Sequence, residues 1–223
     1  IAVRALHQHI AVAHAFLALE DAQQAGFGLG VAGFEFGEED AGQLAHPGTT
    51  LLVVEGPAAG ASEFDTEVLR SAFVLGDARS FDQDPRFGLL VLAEIASKAL
   101  SPAINDPGTA IEIIGRGMRV LSNWQLPDSS EAVVRYPRLW QLGLALDDLF
   151  DDFFTPIARD GAALVEIQIR LQKSFIALAK MNPQLRIQAR RHSEDALARA
   201  EQAQHHASDL ARLKALHRTL MDT

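Results

Sequence analysis

Two Asp-Pro pairs, Asp84-Pro85 and Asp106-Pro107, constrain the fold of this chain more than any other feature. An aspartate is a favoured N-cap because its carboxylate accepts hydrogen bonds from the free backbone N–H groups of the first helical turn. Proline fits the first helical position, where its missing N–H costs nothing. We therefore predict one helix that begins near Pro85 and a second that begins near Pro107.

The residues after each pair have the periodicity of a packed helix. Apolar side chains recur at helical spacing, with Phe87, Val91 and Ile95 in the first helix, widened by Leu89, Leu90 and Leu92, and with Ile111, Ile114, Met118 and Leu121 in the second. Each set lies on one side of its helix. Pro102 ends the first helix, and the link to the second is short, so the two should pack as neighbours. We predict that this hairpin is the stability core.

The polar residues of the same stretch allow two interpretations. The first is turn and cap chemistry, because Asn and Asp are ordinary turn formers. The second is a small-anion or polar-ligand site, because a helix N-terminus offers free N–H groups and partial positive charge. The capping carboxylates argue against an anion, since they already occupy first-turn donors. The candidate binding residues are Arg79, Gln83, Asp84, Arg86, Ser101, Asn105, Asp106 and Thr109.

The whole stretch resembles the signature of a bacterial family of predicted membrane proteins, domain of unknown function 2254. Residues 79–88 fit the pattern R-x-x-x-Q-D-x-x-F-G, and residues 99–110 fit A-L-S-P-x-I-N-D-P-x-T-A. A weaker echo follows at residues 154–161. The resemblance implies a membrane-anchored protein with transmembrane helices upstream. It supplies no catalytic residues.

This resemblance, together with the absence of a Ser-His-Asp order, a P-loop or an HExxH motif, favours a non-enzymatic assembly or regulatory module outside the membrane. One alternative is a ligand-sensing or enzymatic domain with an anion or polar-ligand site around Arg79, Asn105 and Thr109. Another is the soluble part of a transporter or channel. We expect no catalytic residue, metal or cofactor. The expected location is the bacterial inner membrane, with this domain on the cytoplasmic side.

The charge balance disfavours nucleic acid as a partner. The formal net charge is −9, and the first 76 residues hold 2 basic and 10 acidic residues. A phosphate backbone requires a basic surface, which this sequence does not indicate. The chain has no cysteine, which excludes disulfides, thiolate catalysis and cysteine-ligated metals.

The sequence predicts a mostly α, α+β protein with three parts. Residues 1–25 have a three-four apolar spacing that predicts a helix. The longest apolar run in the chain, Ile10–Leu19, is too short to span a bilayer, so the membrane anchor is expected in missing upstream segments. Residues 26–76 predict a small β-containing subdomain with a strand at Leu51–Val54. Residues 77–223 predict a helical domain.

Two acidic sets and the C-terminal segment complete the predictions. Asp147, Asp148, Asp151 and Asp152 form an acidic helix face, which indicates either a solvated surface or, less readily, a divalent-cation site. The line Glu201, His205 and Asp209 could bind a metal weakly. The segment after Asn182-Pro183 is sparse in apolar residues, which predicts an exposed or oligomer-forming helix pair. We therefore expect a homo-oligomer.

Overall fold

The computed structural model describes residues 2–4, 8–11, 33–36, 44–45, 50–55, 74–76, 79, 81, 84–124, 139–140, 144–203 and 206–223. The chain divides into two compact units. The first comprises Ile1–Phe87 and Pro127–Leu144, and the second comprises Gly88–Leu126 and Ala145–Thr223. This division falls at residue 88, whereas the sequence places the start of the helical domain at residue 77.

The described part of the chain is mostly helical, as predicted. Its helices are α1 (Pro85–Leu100), α2 (Pro107–Ser122), α3 (Leu146–Asp160), α4 (Val165–Met181), α5 (Arg186–Gln202) and α6 (Ala207–Met221), with a short 3-10 turn at Pro183–Leu185. Helices α1 and α2 begin at the two prolines of the Asp-Pro pairs, which confirms both predicted starts.

The first unit contains short strands in two sheets. The strands are β1 (Ala2–Arg4), β2 (Gln8–Ala11), β3 (Gly33–Phe36), β4 (Leu44–Ala45), β5 (Thr50–Glu55), β6 (Val74–Gly76) and β7 (Leu139–Trp140). One sheet has the order β1-β5-β3-β7, with β3 and β7 parallel, and the other has the antiparallel order β4-β2-β6. The residues between these strands lie outside the described set, so a β-containing subdomain over residues 26–76 stays a prediction.

The described residues near the N-terminus are strands, whereas the sequence predicts a helix over residues 1–25. Strand β1 pairs with β5, with Ala2 opposite Val53, and β2 pairs with β6, with Ile10 opposite Leu75. Partner strands supply the backbone hydrogen bonds that a helix would otherwise make internally, and a short apolar repeat does not separate the two outcomes. The other residues of this range lie outside the described set.

Helix α4 is the centre of the second unit. It packs closely against α2, α5 and α6, and it also contacts α3. Its side chains Ile167, Leu171, Phe175 and Leu178 are completely buried. Among the described helices, α1 and α2 are not a closely packed pair. The prediction that α1 and α2 pack as neighbours is therefore wrong. Both helices contribute residues to a core built around α4, and the prediction that their hairpin is the stability core stays a prediction.

The buried face of α1 differs from the predicted face. Its core residues are Leu89, Ala93, Ala96 and Leu100, whereas Ile95 is 43% exposed. The small alanines let α1 approach the core closely, a feature that a search for large apolar side chains overlooks. In α2 the predicted face is confirmed, because Ile114 and Leu121 are buried and Ile111 and Met118 pack against them.

The C-terminal helices belong to the core and are not an exposed pair. Leu185, Ala189 and Ala196 are completely buried in the described structure, as is Leu220 at the end of α6. Alanine on the inner face allows close helix packing although it contributes little apolar area. The prediction of an exposed helix pair is wrong for this reason, whereas the alternative of an oligomer-forming pair stays a prediction.

Helix α3 has a proline in its interior. It continues through Pro156 and ends at Asp160, with Gly161 as its C-cap. Helix α4 begins four residues after Gly161, at Val165. Phe154, Ile157 and Ala158 are buried, and their packing offsets the hydrogen bond that Pro156 cannot donate.

A close contact between α2 and α3 depends on the absence of a side chain at Gly117. A Cβ atom at this position would overlap three carbons of the Phe153 ring. The ring itself is completely buried and so has little room to move. Gly115, in the same helix, has no atom within 4 Å of the position of its Cβ.

The two glycines of α2 should respond in opposite directions to alanine. Gly117→Ala should lower the free energy of unfolding by about 1–3 kcal/mol, because the core would be overpacked. Gly115→Ala, the matched control, should raise it by about 0.5–1 kcal/mol, because alanine is the better helix former. Urea denaturation followed by circular dichroism measures both. Equal shifts of the same sign would contradict the packing of Phe153 on Gly117.

Candidate functional site

The first group of candidate residues is a capped helix start in which Arg79 and Asp84 are paired. Asp84 is 2% exposed. Its Oδ1 accepts a hydrogen bond from the backbone N–H of Phe87 at 3.0 Å, which caps α1. Its Oδ2 lies 2.7 Å from Nε and 2.5 Å from a terminal nitrogen of Arg79. Both carboxylate oxygens are therefore used within the fold.

Aromatic rings complete this group. The guanidinium carbon of Arg79 lies 5.0 Å from the centre of the Phe87 ring, within the range of a cation–π interaction. The Phe81 ring stacks on the same Phe87 ring, with 4.7 Å between the two ring centres. Arg86 lies in the first turn of α1 and is half-buried, and Gln83 lies outside the described residues. The pattern that carries the family resemblance here builds a helix start.

The second group is the turn between α1 and α2. Asn105 has φ of +50° and is the sole residue other than glycine with positive φ among those described. The carbonyl of Ser101 accepts from the backbone N–H groups of Ile104 and Asn105, at 3.0 and 2.9 Å, and the N–H of Asp106 donates to Ala99. The turn is thus closed by the backbone. The Asn105 side chain is exposed.

Asp106 caps α2 in the same way that Asp84 caps α1. Its Oδ1 accepts from the Thr109 backbone N–H at 3.0 Å, and its Oδ2 accepts from the Thr109 hydroxyl at 2.6 Å. These hydrogen bonds, first that from the hydroxyl, hold the pKa of Asp106 below its usual value. The Ser101 hydroxyl donates to the carbonyl of Lys98 at 2.7 Å. The hydroxyls of both Ser101 and Thr109 are therefore engaged locally.

The described candidate residues form these two groups, one in each unit. Arg79, Asp84 and Arg86 belong to the first unit, and Ser101, Asn105, Asp106 and Thr109 belong to the second. Within each group the contacts correspond to turn and cap chemistry, the first of the two interpretations. The ligand-site interpretation stays a prediction.

Two buried glutamines of α4, which the sequence did not single out, bind to α5 and to the end of α3. Gln172 donates from Nε2 to the Ser193 carbonyl at 2.9 Å, and the Ser193 hydroxyl lies 2.5 Å from Gln172 Oε1. Gln168 donates to the carbonyls of Ala158 and Gly161, at the end of α3. The sequence held one signal of this network. Gln168 and Gln172 are one helical turn apart, and each directly follows one of the buried apolar residues Ile167 and Leu171.

Ser193 also lies 2.8 Å from Nδ1 of His217, an arrangement that invites comparison with a serine nucleophile and its base. Gln172 Nε2 faces the Ser193 carbonyl, so its Oε1 must accept the hydroxyl hydrogen. A serine has a single hydroxyl hydrogen. Nδ1 of His217 is therefore the donor to Ser193, which is the reverse of what a general base requires.

The acidic face of α3 is partly a contact with α5. Asp147 accepts from Gln188, and Asp151 lies 2.9 Å from Arg191 and 3.2 Å from Nε2 of His192. Burial, followed by the neighbouring Arg191 charge, lowers the pKa of His192 to about 4. In the described residues no group of three or more His, Asp or Glu side chains is placed to hold a metal ion. His205 of the predicted metal line lies outside those residues, and Glu201 pairs with Lys214.

The comparisons with known proteins agree with the resemblance seen in the sequence. The pattern that defines DUF2254, described as a predicted membrane protein, matches residues 38–177. The chain belongs to this family of predicted membrane proteins. In the described part of the chain, no helix combines the length and the apolar character that crossing a bilayer demands.

Similar proteins occur in mycobacteria. An uncharacterized protein of Mycobacterium bovis, and uncharacterized proteins of Mycobacterium tuberculosis strains CDC 1551 and H37Rv, are each 43% identical to this chain over 75 residues. The matched segment covers 32% of this chain, and the chain spans 14% of the length of each of these curated relatives. No solved structure matches the chain.

Substitutions at Asn105 separate a backbone role from a role of the amide. Asn105→Gly should retain or raise stability, because glycine adopts positive φ without strain, whereas Asn105→Ala should cost about 1–2 kcal/mol. The matched control is Ala103→Gly, in the same exposed turn but without positive φ. It should be neutral or destabilising. Thermal unfolding measures all three, and a loss on Asn105→Gly as large as that on Asn105→Ala would contradict the backbone role.

Proposed function

We propose that this chain is an extramembrane part of a bacterial membrane protein and that it acts as a non-enzymatic assembly or regulatory module. The observation that carries the proposal is that the two aspartates of the family signature serve as helix caps. Asp84 and Asp106 accept hydrogen bonds from backbone and side chains of their own helix starts, and Arg79 is paired with Asp84. Groups committed to capping in this way are not available as acids, bases or nucleophiles.

The buried polar network gives further support to a role without catalysis. The pair Ser193 and His217 has the orientation opposite to that of an activated nucleophile, since His217 donates to the serine oxygen. Ser193 is also completely buried. A substrate could reach this hydroxyl only if α4, α5 and α6 separated. The network fits a structural role in holding helices together.

Self-association is the part of the proposal that the chain itself can test. Ile95 is exposed on α1, beside the exposed Glu94, and a contact between copies through α1 would bury it. We expect the apparent mass from light scattering to rise with concentration. Ile95→Ser should shift that rise to higher concentration, because it removes apolar contact area. Glu94→Ser, which removes no apolar surface, is the control.

If the apparent mass from light scattering equals that of one chain at every concentration, the proposal of self-association is wrong. Deletion of residues 183–223 is not a suitable test. It would remove Leu185, Ala189, Ala196 and Leu220 from the core and would unfold the unit.

The proposed location is the cytoplasmic side of the bacterial inner membrane. The chain has no cysteine, so a cysteine introduced at Glu94 is a single probe within it. In intact cells that make the full-length protein with Glu94→Cys, a membrane-impermeant maleimide should leave this position unmodified, and permeabilised cells should show labelling. A version of the full-length protein without Glu94→Cys controls for cysteines elsewhere. Labelling in intact cells would place the domain on the outer side.

The second candidate function is a sensor of a small anion or polar ligand. The observation that favours it is the exposed Asn105, whose side chain makes no hydrogen bond in the described residues although its backbone has positive φ. Such backbone conformations cluster at functional sites. Phosphate, carboxylate and nucleotide anions should then raise the melting temperature of the wild-type chain but not that of Asn105→Gly. No shift with any of them would exclude this candidate. The third possibility is that the chain is the soluble part of a transporter or channel. A test of that possibility requires the full-length protein.

A further inference from the structure

One end of the second unit is formed by the last turns of α2, α4 and α6 and the first turns of α5. The Asn182 amide, just after α4, donates to the carbonyl of Trp124, just after α2, at 2.7 Å. Arg190 in α5 donates to the carbonyl of Met221, at the end of α6, at 2.9 Å. These contacts bring the four segments to the same place. We refer to this surface as the basic end.

The basic end carries half of the large hydrophobic side chains that are exposed in the described structure. Val120 is 52% exposed, Met181 is 56% exposed and Ile187 is 76% exposed. They account for three of the six large hydrophobic residues that are exposed among those described. Single exposed hydrophobic residues are ordinary on a protein surface, but a cluster of them indicates an interaction surface.

The charge of this end has the opposite sign to the charge of the chain. The segments that form this end, residues 119–124, 178–190 and 218–222, contain five basic residues and one acidic residue, whereas the whole chain has a net charge of −9. Arg119 and Lys180 are exposed here and Arg186 is half-buried. Asp222, after α6, is an acidic residue near this end, and Arg218 lies one turn before it.

Helix ends explain only part of this pattern. Arg119 and Lys180 lie in the last turns of α2 and α4, where cations complement the partial negative charge of the helix. Arg186 is the first residue of α5, where a positive charge opposes the helix dipole. Dipole complementation also does not account for the exposure of Met181 and Ile187. A partner that binds both positively charged and apolar side chains would account for the basic residues and for the exposed hydrophobic ones.

We propose that the basic end docks on the surface of an anionic lipid bilayer. Exposed apolar side chains enter the boundary between headgroups and acyl chains, while Lys and Arg contact anionic headgroups. The chain belongs to a family of predicted membrane proteins, so a bilayer is close at hand. A second copy is the poorer occupant, because two such ends would bring like charges together. Nucleic acid would be repelled by the rest of this acidic chain.

Vesicle co-sedimentation of the 223-residue chain tests the docking. The chain should sediment with vesicles of phosphatidylglycerol and phosphatidylcholine and should sediment much less with phosphatidylcholine alone. Arg119→Gln and Lys180→Gln should each reduce the partition coefficient about fivefold, the effect of one basic residue at an anionic surface. Arg212→Gln, an exposed charge in the first half of α6, is the matched control and should leave it unchanged.

The apolar contribution has its own pair of variants. Ile187→Ser should weaken binding to the anionic vesicles, and Ile104→Ser, at a 49% exposed isoleucine in the turn before α2, should not. Both side chains are exposed, so both variants should keep the wild-type melting temperature. That measurement separates lost docking from lost folding.

Three results would overturn the proposal. The first is the absence of binding to anionic vesicles, and the second is equal loss in the test and control variants. The third is a loss of self-association, without lipid, on Ile187→Ser, which would make a second copy the occupant of the basic end. The docking goes beyond the proposed function and is measured separately from it. A chain that is monomeric, or that lies on the outer side of the membrane, leaves the vesicle result standing.

Discussion

The burial of α4 on several sides is the constraint on which the helical unit depends. Leu171, Phe175 and Leu178 reach full burial only when α2, α5 and α6 are all in place. Exposing one buried residue of this size costs about 1.5–3 kcal/mol, so removal of any neighbouring helix affects the others. Gln172 adds a directional contact to this apolar packing, because its hydrogen bonds with Ser193 form at one register of α4 and α5. The unit should therefore unfold as one cooperative element.

A core that contains polar groups stays stable only if those groups are satisfied and uncharged. His192 meets the second condition, because its burial among Phe150, Phe154 and Phe175 keeps it neutral near pH 7. Its pKa falls from 6.5 in the unfolded chain to about 4 in the folded one. Below pH 6.5 the unfolded state binds the proton first, so this histidine lowers the stability progressively between about pH 6.5 and pH 4. Asp151, beside Nε2, opposes part of that effect.

The sequence was sufficient for features that local chemistry determines. The starts of α1 and α2 follow from one Asp-Pro pair each, and the buried face of α2 follows from its spacing. It was insufficient where small residues form contacts. Gly117 is a packing site because Phe153 lies against it, and Ala93 and Ala96 replace Ile95 on the inner face of α1. Neither contact has a signal in hydrophobic spacing.

The family signature and the proposed docking surface lie on different parts of the molecule. The signature residues Asp84 and Asp106 stabilise helix starts, so similarity to the family at these positions indicates shared local structure. Met181 and Ile187 lie beyond residues 38–177, the part of the chain that matches the family. Family members can therefore share the helix starts and still differ at the basic end. If lipid docking depends on Ile187, it is a property that each member must have through its own α4–α5 junction, and the signature gives no information about it.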